Sequence, residues 1–225
     1  MIEVVTIDGP SGSGKSTASR LLAKKLNYSY LDTGAMYRAF ALIVLEKGWE
    51  NNKNKYEKFV NDFEVSFVIK NNNQRVICQG RDITEAIRMP DVSMWASTLS
   101  KEKKVRDRMF ILQRSIGEKG KVVAEGRDMG TVVFKDAFSK FFLTASPQVR
   151  GERRWKELKE KGINQPIEEV VAEIIRRDEQ DSQREIAPLK PAEDAIIIDT
   201  SNLTIDDVIS KMYQIVYEKS KIWKF

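Results

Sequence analysis

The sequence contains no histidine and only one cysteine, Cys78. The absence of histidine excludes an imidazole general base and every zinc site that uses histidine ligands. A lone cysteine excludes an internal disulfide and any metal site built from several cysteines. If the protein is an enzyme, its catalysis must rest on lysine, arginine, carboxylates, backbone amides or a bound ion.

Long apolar runs are missing as well. No stretch approaches the roughly 18 uncharged apolar residues that span a bilayer. The opening MIEVVTIDGP lacks the basic-then-apolar layout of a signal peptide, so we expect a cytoplasmic protein that does not enter a membrane. With 225 residues, of which 41% are hydrophobic and 32% charged, the chain fits one soluble α/β domain with insertions. No partner surface is evident, and we expect a monomer.

The charge balance is basic. A formal charge of +5 and a sequence pI near 9.1 indicate an anionic partner. Nucleotide phosphates and nucleic acid both satisfy this condition.

Runs rich in β-branched residues alternate with segments of helical periodicity. Five runs predict the strands of one sheet, at 2–8, 28–32, 121–126, 140–145 and 195–200. Helices are predicted at 15–26, 35–48, 101–117, 147–162, 167–184 and 204–221. This rhythm is typical of an open, mainly parallel sheet with helices on both faces. Residues 64–70 and 75–80 interrupt it and alternate as a β-hairpin around NNNQ, which we interpret as an insertion.

The segment GPSGSGKST, at 9–17, follows the first predicted strand and opens the first predicted helix. It matches the phosphate-loop pattern G-x-x-x-x-G-K-[ST], in which backbone amides and a helix N-terminus surround phosphate groups. We expect the donor nucleotide to bind all of its residues: Gly9, Pro10, Ser11, Gly12, Ser13, Gly14, Lys15, Ser16 and Thr17. Lys15 is expected to contact the β- and γ-phosphates, and the Ser16 hydroxyl to contact Mg²⁺.

A GTPase is disfavoured, because neither N-K-x-D nor D-x-x-G occurs in the sequence. Transfer of the phosphoryl group to a small acceptor instead requires a second anion site. Arg127 and Asp128 follow a buried strand, where an open α/β sheet binds ligands. Arg177, Asp181 and Arg184 share one helical face. Each has a structural alternative: the helical group as an exposed charge cluster, and Asp128 as a cap for the turn after its strand.

Several segments occur together in one order along nearly the whole chain: IDGPSGSGKST, LDTGAMYR, the hairpin insertion, EGRDMGTVVF, RRDEQDSQREIAPL and AIIIDTSNLT. In this combination the sequence resembles the cytidylate kinase family, the bacterial CMP kinases among the nucleoside monophosphate kinases. Adenylate kinases carry D-G-F-P-R where this chain has EGRDMG. The resemblance implies a P-loop kinase fold and in-line transfer of the γ-phosphoryl group of ATP to CMP, and to dCMP, with Mg²⁺.

The resemblance also implies roles for residues on the acceptor side. Arg38, Arg127 and Arg184 would clamp the CMP phosphate, which suits rigid guanidinium donors. Thr33, Arg106 and Asp128 would contact the cytosine edge, Asp128 accepting from the N4 amine that uracil lacks. Asp181, Arg177 and Ser97 would hold the sugar.

On the donor side, Arg150, Arg153 and Arg154 resemble lid arginines that close over the ATP phosphates. Lys15, Arg127, Asp128 and Arg154 would act in the transfer step, and Ser16 and Glu125 would hold the magnesium ion. The implied organisation is a single kinase domain, 1–225. Within it lie a monophosphate-binding lobe at 34–91, which includes the hairpin insertion at about 63–91, and a lid at 146–166.

Two rival functions remain open at this point. A P-loop kinase for another acceptor, such as UMP or a sugar acid, would share the phosphate loop. An ATP-dependent nucleic-acid-binding protein would suit the basic pI but requires a contiguous basic face, which the sequence does not reveal.

If the monophosphate-binding lobe moves toward the phosphate loop only when CMP is bound, ATP alone should be hydrolysed slowly. We expect ADP release from ATP and Mg²⁺ to be far slower without CMP than with it, measured in a coupled assay. Rapid ATP turnover in the absence of CMP would contradict this hypothesis.

Overall fold

The structure of the protein is a computed structural model, which describes residues 2–70, 73–160 and 162–223. It contains eight strands within these ranges. In chain order they are β1 (Ile2–Asp8), β2 (Ser29–Asp32), β3 (Val65–Lys70), β4 (Asn73–Cys78), β5 (Arg81–Asp82), β6 (Val122–Gly126), β7 (Ala137–Thr144) and β8 (Ile196–Asp199).

The α-helices are α1 (Lys15–Leu26), α2 (Thr33–Glu46), α3 (Lys53–Phe59), α4 (Pro90–Leu99), α5 (Lys103–Gly117), α6 (Pro147–Glu160), α7 (Ile167–Ser182) and α8 (Ile205–Trp223). Short 3₁₀ turns lie at Val60–Asp62 and Ala86–Arg88, and one π-helical turn lies at Met129–Val133.

The chain divides into two units. The first unit consists of Met1–Tyr30 and Ile116–Phe225, and the second of Leu31–Ser115.

A five-stranded sheet in the order β2-β6-β1-β7-β8 organises the first unit. β1 runs parallel to both β6 and β7, and β7 runs parallel to β8. The register sets Asp8, the last residue of β1, beside Gly126 of β6 and Phe142 of β7. The carboxyl ends of these strands therefore meet at one edge, where the phosphate loop begins.

The core of the first unit is apolar and packed. Val5 and Ile7 of β1 are fully buried, as is Leu22 of α1. They pack with Phe141 of β7 and Met212 of α8 in one hydrophobic cluster. Because strands buried on both faces carry near-continuous apolar runs, VVTI and VVA in the sequence correspond to central strands β1 and β6.

The second unit combines a small antiparallel sheet with an aromatic core. The sheet has the order β3-β4-β5, and β3 and β4 form the hairpin. Phe40 of α2 lies with its ring centroid 5.1 Å from that of Phe63 and 6.3 Å from that of Phe59. These edge-to-face and stacked contacts anchor α2 in its own unit.

The fold class expected from the sequence, a P-loop kinase sheet with an inserted hairpin, is confirmed. All five expected sheet strands are present, and so is the β3–β4 hairpin. Residues 71 and 72 of the expected NNNQ turn lie outside the described residues. Strand β5, helix α4 and the π-helical turn were not expected. Within the described ranges, no helix is long and apolar enough to cross a membrane.

Gly117, the last residue of α5, makes room for the fully buried ring of Phe134. A Cβ at residue 117 would lie 2.2 Å from Cε1 of Phe134. We expect Gly117→Ala to lower the free energy of unfolding by about 1–3 kcal/mol, because overpacking a dense core forces neighbours out of place. Urea unfolding of Gly117→Ala, Phe134→Leu and the double variant should reveal favourable coupling of about 1 kcal/mol, since Leu removes the clash. Additive effects would contradict the clash.

Candidate functional site

The phosphate loop depends on glycine at positions where a side chain does not fit. Gly9 has φ 147°, and a Cβ there would lie 2.0 Å from the carbonyl oxygen of Leu143. Gly14, with φ 85°, is the residue before α1 and has no side chain to cap that helix. The first-turn amides of α1 are therefore left for an anion. Ser16 and Thr17 lie exposed on this turn.

Two side chains of the loop fold back onto its own backbone. The Ser13 hydroxyl donates to the carbonyl oxygen of Pro10 at 3.0 Å, and the Lys15 ammonium donates to the same oxygen at 2.7 Å. Lys15 is only 7% exposed. Its ammonium is thus held inside the curl of the loop, where the motif requires it.

Thr200, directly after β8, supports the loop from behind. Its hydroxyl lies 3.2 Å from the carbonyl oxygen of Ser13 and 3.0 Å from that of Thr144. Arg153 of α6 donates to both the hydroxyl and the carbonyl oxygen of Thr200. Arg153 Nη1 would lie 4.0 Å from a Cβ placed on Gly14, so this guanidinium is adjacent to the loop.

Arg150 ties the first turn of α6 to the loop. Its guanidinium donates to the carbonyl oxygens of Ser11 at 3.0 Å and Ala145 at 2.9 Å, and it pairs with Asp178 of α7. The residue is 3% exposed. These bonds make Arg150 a structural support of the loop, and its contact with a nucleotide stays a prediction. Arg154, by contrast, is 44% exposed and pairs only with Glu157 among the ion pairs of the described residues.

The carboxyl end of β6 carries the second group of expected residues. Glu125 is buried and accepts a 2.8 Å hydrogen bond from the Tyr30 hydroxyl. Asp128 is buried too, but its side chain does not cap the π-helical turn that follows. The capping alternative for Asp128 is therefore not realised.

The cap is Asp8, which sequence reasoning missed. Its carboxylate accepts from the backbone amides of Met129 at 2.9 Å and Gly130 at 2.7 Å. The available signal was a carboxylate at the end of a buried strand, directly before Gly9. Burial raises the pKa of Asp8 to about 7, against the opposing effect of the two amide donors.

Asp181 of α7 joins two of the predicted arginines. It accepts from Arg127 Nε at 2.9 Å and from Arg184 Nη2, and its side chain is 1% exposed. The exposed-cluster alternative therefore fails for Asp181 and Arg184, although Arg177 on the same helix is exposed. Arg184 Nε is buried and has no hydrogen-bond partner among the described residues, so it can still donate to an anion.

Several charged side chains of the first unit shift the pKa of Lys15. Burial lowers the pKa of the Lys15 ammonium, and the charges of Arg127 and Arg177 lower it further, while Glu125 and Asp181 oppose them. Two arginines and two carboxylates thus act on Lys15, and the positive charge of the lysine itself favours an anion.

The remaining expected residues lie in the second unit. Thr33 is buried at the start of α2, where Asp32 caps the helix through the amide of Ala35. Arg38 pairs with Asp32 at 3.0 Å. Arg106 is 8% exposed and donates to the carbonyl oxygen of Ser100. Ser97 is half-buried on α4.

Comparison with known proteins decides the family. The sequence model of the family described as cytidylate kinase matches residues 5–218. This chain belongs to the cytidylate kinase family. A cytidylate kinase from Syntrophotalea carbinolica is 46% identical over 220 residues, which cover 97% of this chain and 94% of that one. A cytidylate kinase from Geobacter sulfurreducens is 48% identical over 219 residues, again 97% and 94% of the two chains.

One solved structure supports the fold. A structure titled as an uncharacterized protein from Eubacterium ventriosum covers 97% of this chain and 99% of its own, with a TM-score of 0.52 and 12% identity. At that identity the likeness shows the fold alone. Membership of the cytidylate kinase family rests on the sequence matches.

Asp181 should be essential to the stability of this site. Burial alone would raise its pKa, but the charges of Arg127 and Arg184 outweigh burial and hold the pKa below its usual value. We expect Asp181→Asn to lower the free energy of unfolding by about 3 kcal/mol at neutral pH, because both guanidinium groups lose their carboxylate. This contribution is present above the pKa of the unfolded chain and is lost as pH falls through the lower pKa of the folded protein.

Urea unfolding of the wild type and Asp181→Asn at pH 7 and at about pH 3 tests the sign of this dependence. The difference between the two proteins should shrink at the acidic pH. Glu179→Gln, which neutralises an exposed carboxylate of the same helix, is the matched control and should have little effect. A difference that is independent of pH would show that Asp181 acts by packing rather than by charge.

Proposed function

We propose that the protein transfers the γ-phosphoryl group of ATP to CMP, forming ADP and CDP. Membership of the cytidylate kinase family supports this reaction. One structural observation supports its assignment to particular residues. Lys15 in the phosphate loop lies in the same unit as the Arg127–Asp181–Arg184 cluster, and the charges of Arg127 and Asp181 act on it. A phosphate-binding loop with a second cationic group is what transfer between two phosphates requires.

On the donor side, the amides of 9–17 and the N-terminus of α1 bind the ATP phosphates, with Lys15 on the β- and γ-phosphates. Arg154, exposed on α6, is suited to stabilise the charge that develops during transfer. Arg153 lies next to Gly14 and contributes positive potential there. Arg150 acts chiefly through the shape of the loop.

On the acceptor side, Arg127 and Arg184 bind the phosphate of CMP from the first unit, with Asp181 holding both guanidinium groups in place. Asp181 and Arg177 also contact the sugar, as does Ser97. Arg38 binds the same phosphate, and Thr33 and Arg106 contact the base. Asp128 accepts from the N4 amine of cytosine, and this carboxylate would meet the O4 acceptor of uracil unfavourably.

The reaction needs no protein nucleophile and no general base. The phosphate of CMP is already ionised at neutral pH and attacks the γ-phosphorus directly. The task of the protein is to align the two nucleotides, neutralise their charges and exclude water. A chain without histidine is fully equipped for this chemistry.

The oxygen groups of the site suit Mg²⁺. The Ser16 hydroxyl, exposed on the first turn of α1, and the Glu125 carboxylate, fixed by Tyr30, are hard oxygen donors. Across the residues that the structure describes, no three His, Cys, Asp or Glu side chains form a metal cage. Since Mg²⁺ in kinases is held mainly by phosphates and waters, two protein oxygens suffice. When bound, the ion would neutralise phosphate charge.

We extend the proposal to dCMP as a second acceptor, to a monomer that binds no nucleic acid, and to the cytoplasm as its location. These points rest on the sequence.

The acceptor assignment is tested by ADP release from ATP and Mg²⁺ with CMP, dCMP, UMP, AMP and GMP offered separately. We expect strong turnover with CMP and weak turnover with UMP, and Asp128→Ala should lose this preference. Lys15→Met should lower kcat about a hundredfold or more, because a cation on the transferred phosphate is lost. Its circular dichroism should match that of the wild type.

Each outcome bears on one part of the proposal. If UMP or AMP is the better acceptor, the assignment of CMP fails while the phosphate loop stands. Full activity of Lys15→Met would refute the role of the loop. Unchanged CMP activity in Asp128→Ala would favour a kinase for another acceptor.

A further inference from the structure

The π-helical turn Met129–Val133 follows immediately after Arg127 and Asp128, so its position sets theirs. The carbonyl oxygen of Asp128 accepts from the amides of Val132 and Val133, and that of Met129 accepts from Phe134. The first amides of such a turn have no partner within it. Those of Met129 and Gly130 are satisfied by Asp8, which lies 121 and 122 residues away in the chain.

Asp8 is itself fixed in place. It is the last residue of β1, and its backbone pairs with Gly126 of β6 on one side and Phe142 of β7 on the other. Its side chain is buried, and each carboxylate oxygen accepts from a different amide. Gly9, the first residue of the phosphate loop, comes next. One rigid strand end therefore contacts both the loop and the turn.

The approach of the turn to β1 is close. A Cβ on Gly130 would lie 3.1 Å from Thr6 Oγ1, 3.2 Å from Lys140 Cδ and 3.4 Å from Asp8 Oδ2. A side chain at residue 130 would thus press on the residues around the two amide bonds, so glycine at this position favours them as well as the carboxylate at residue 8.

We propose that Asp8 is a positioning residue for the acceptor side of the site: by holding the amides of Met129 and Gly130, it sets where Arg127 and Asp128 stand relative to the phosphate loop. This role rests on the proposed function of Arg127 and Asp128 in binding the acceptor. The loop itself has other supports, since Pro10, Ser11 and Ser13 are held by Lys15, Arg150 and Thr200. Loss of Asp8 should therefore affect the acceptor more than ATP.

The test is Asp8→Asn, which keeps the shape of the side chain but turns one acceptor into an NH₂ group that faces an amide. Using the acceptor that the wild type phosphorylates best, we expect the KM of the acceptor to rise about tenfold, which corresponds to the loss of one hydrogen bond. The KM of ATP should change less than about twofold. Hydrogen–deuterium exchange should accelerate in the peptide that covers 127–134.

Gly130→Ala is the second variant, because it displaces the turn without altering the carboxylate. It should give the same KM pattern, and it decides the proposal if Asp8→Asn fails to fold. Asp207→Asn is the matched control, since Asp207 is also a carboxylate that accepts from a backbone amide at a helix start, that of Thr204. It should leave both KM values unchanged.

Equal increases in the KM of ATP and the KM of the acceptor, together with slower refolding of the protein after heating, would assign Asp8 a purely structural role. This result would overturn the proposal. Unchanged KM values in both variants would overturn it too. Failure of the proposed function is distinguishable, because the wild type would then prefer an acceptor other than CMP while the KM pattern of the variants still reports on Asp8.

Discussion

The structure of the site depends on holding a glycine-rich loop in one conformation. Glycine lets the backbone curl around phosphate, but it also leaves the unfolded loop with a large conformational entropy to lose. In this protein, hydrogen bonds from buried side chains to the carbonyl oxygens of the loop offset this loss of entropy. Lys15 and Ser13 bind the oxygen of Pro10, Arg150 binds that of Ser11, and Thr200 approaches that of Ser13. The amides of the loop are consequently preorganised for an anion.

Charge is distributed so that the site favours an anionic ligand. Asp181 is a single buried carboxylate shared by Arg127 and Arg184, and Lys15 is buried nearby. Two guanidinium groups that share one carboxylate keep a net positive charge, which an anionic ligand would neutralise. Burial is the main cause of the lowered pKa of Lys15, and the charges of Arg127 and Arg177 lower it further. A doubly charged phosphate bound beside the guanidinium groups of Arg127 and Arg184 would relieve the repulsion between them.

Sequence patterns predicted the local elements well and the long-range contacts poorly. The central strands, the phosphate loop and α1 each have a signal within a few residues, as do Thr204 and Asp207, which cap α8. Helix α4 had a signal too, Pro90 at its first position and apolar residues at helical spacing, which the expected insertion obscured. Asp8 with Met129, and Arg150 with Ser11, join residues more than a hundred positions apart. Such partners follow from strand order and register, which no local pattern encodes.

The attachment of Arg150 constrains the mechanics of α6. Its first turn is fixed to the phosphate loop at Ser11 and to α7 at Asp178. A helix fixed at one end moves by rotation about that end, so displacement grows along its length at about 1.5 Å of lever arm per residue. Arg154 has a lever arm of only about 6 Å, whereas residues near Glu160 have one of about 15 Å. If α6 rotated about its first turn, residues near Glu160 would therefore be displaced about two and a half times as far as Arg154.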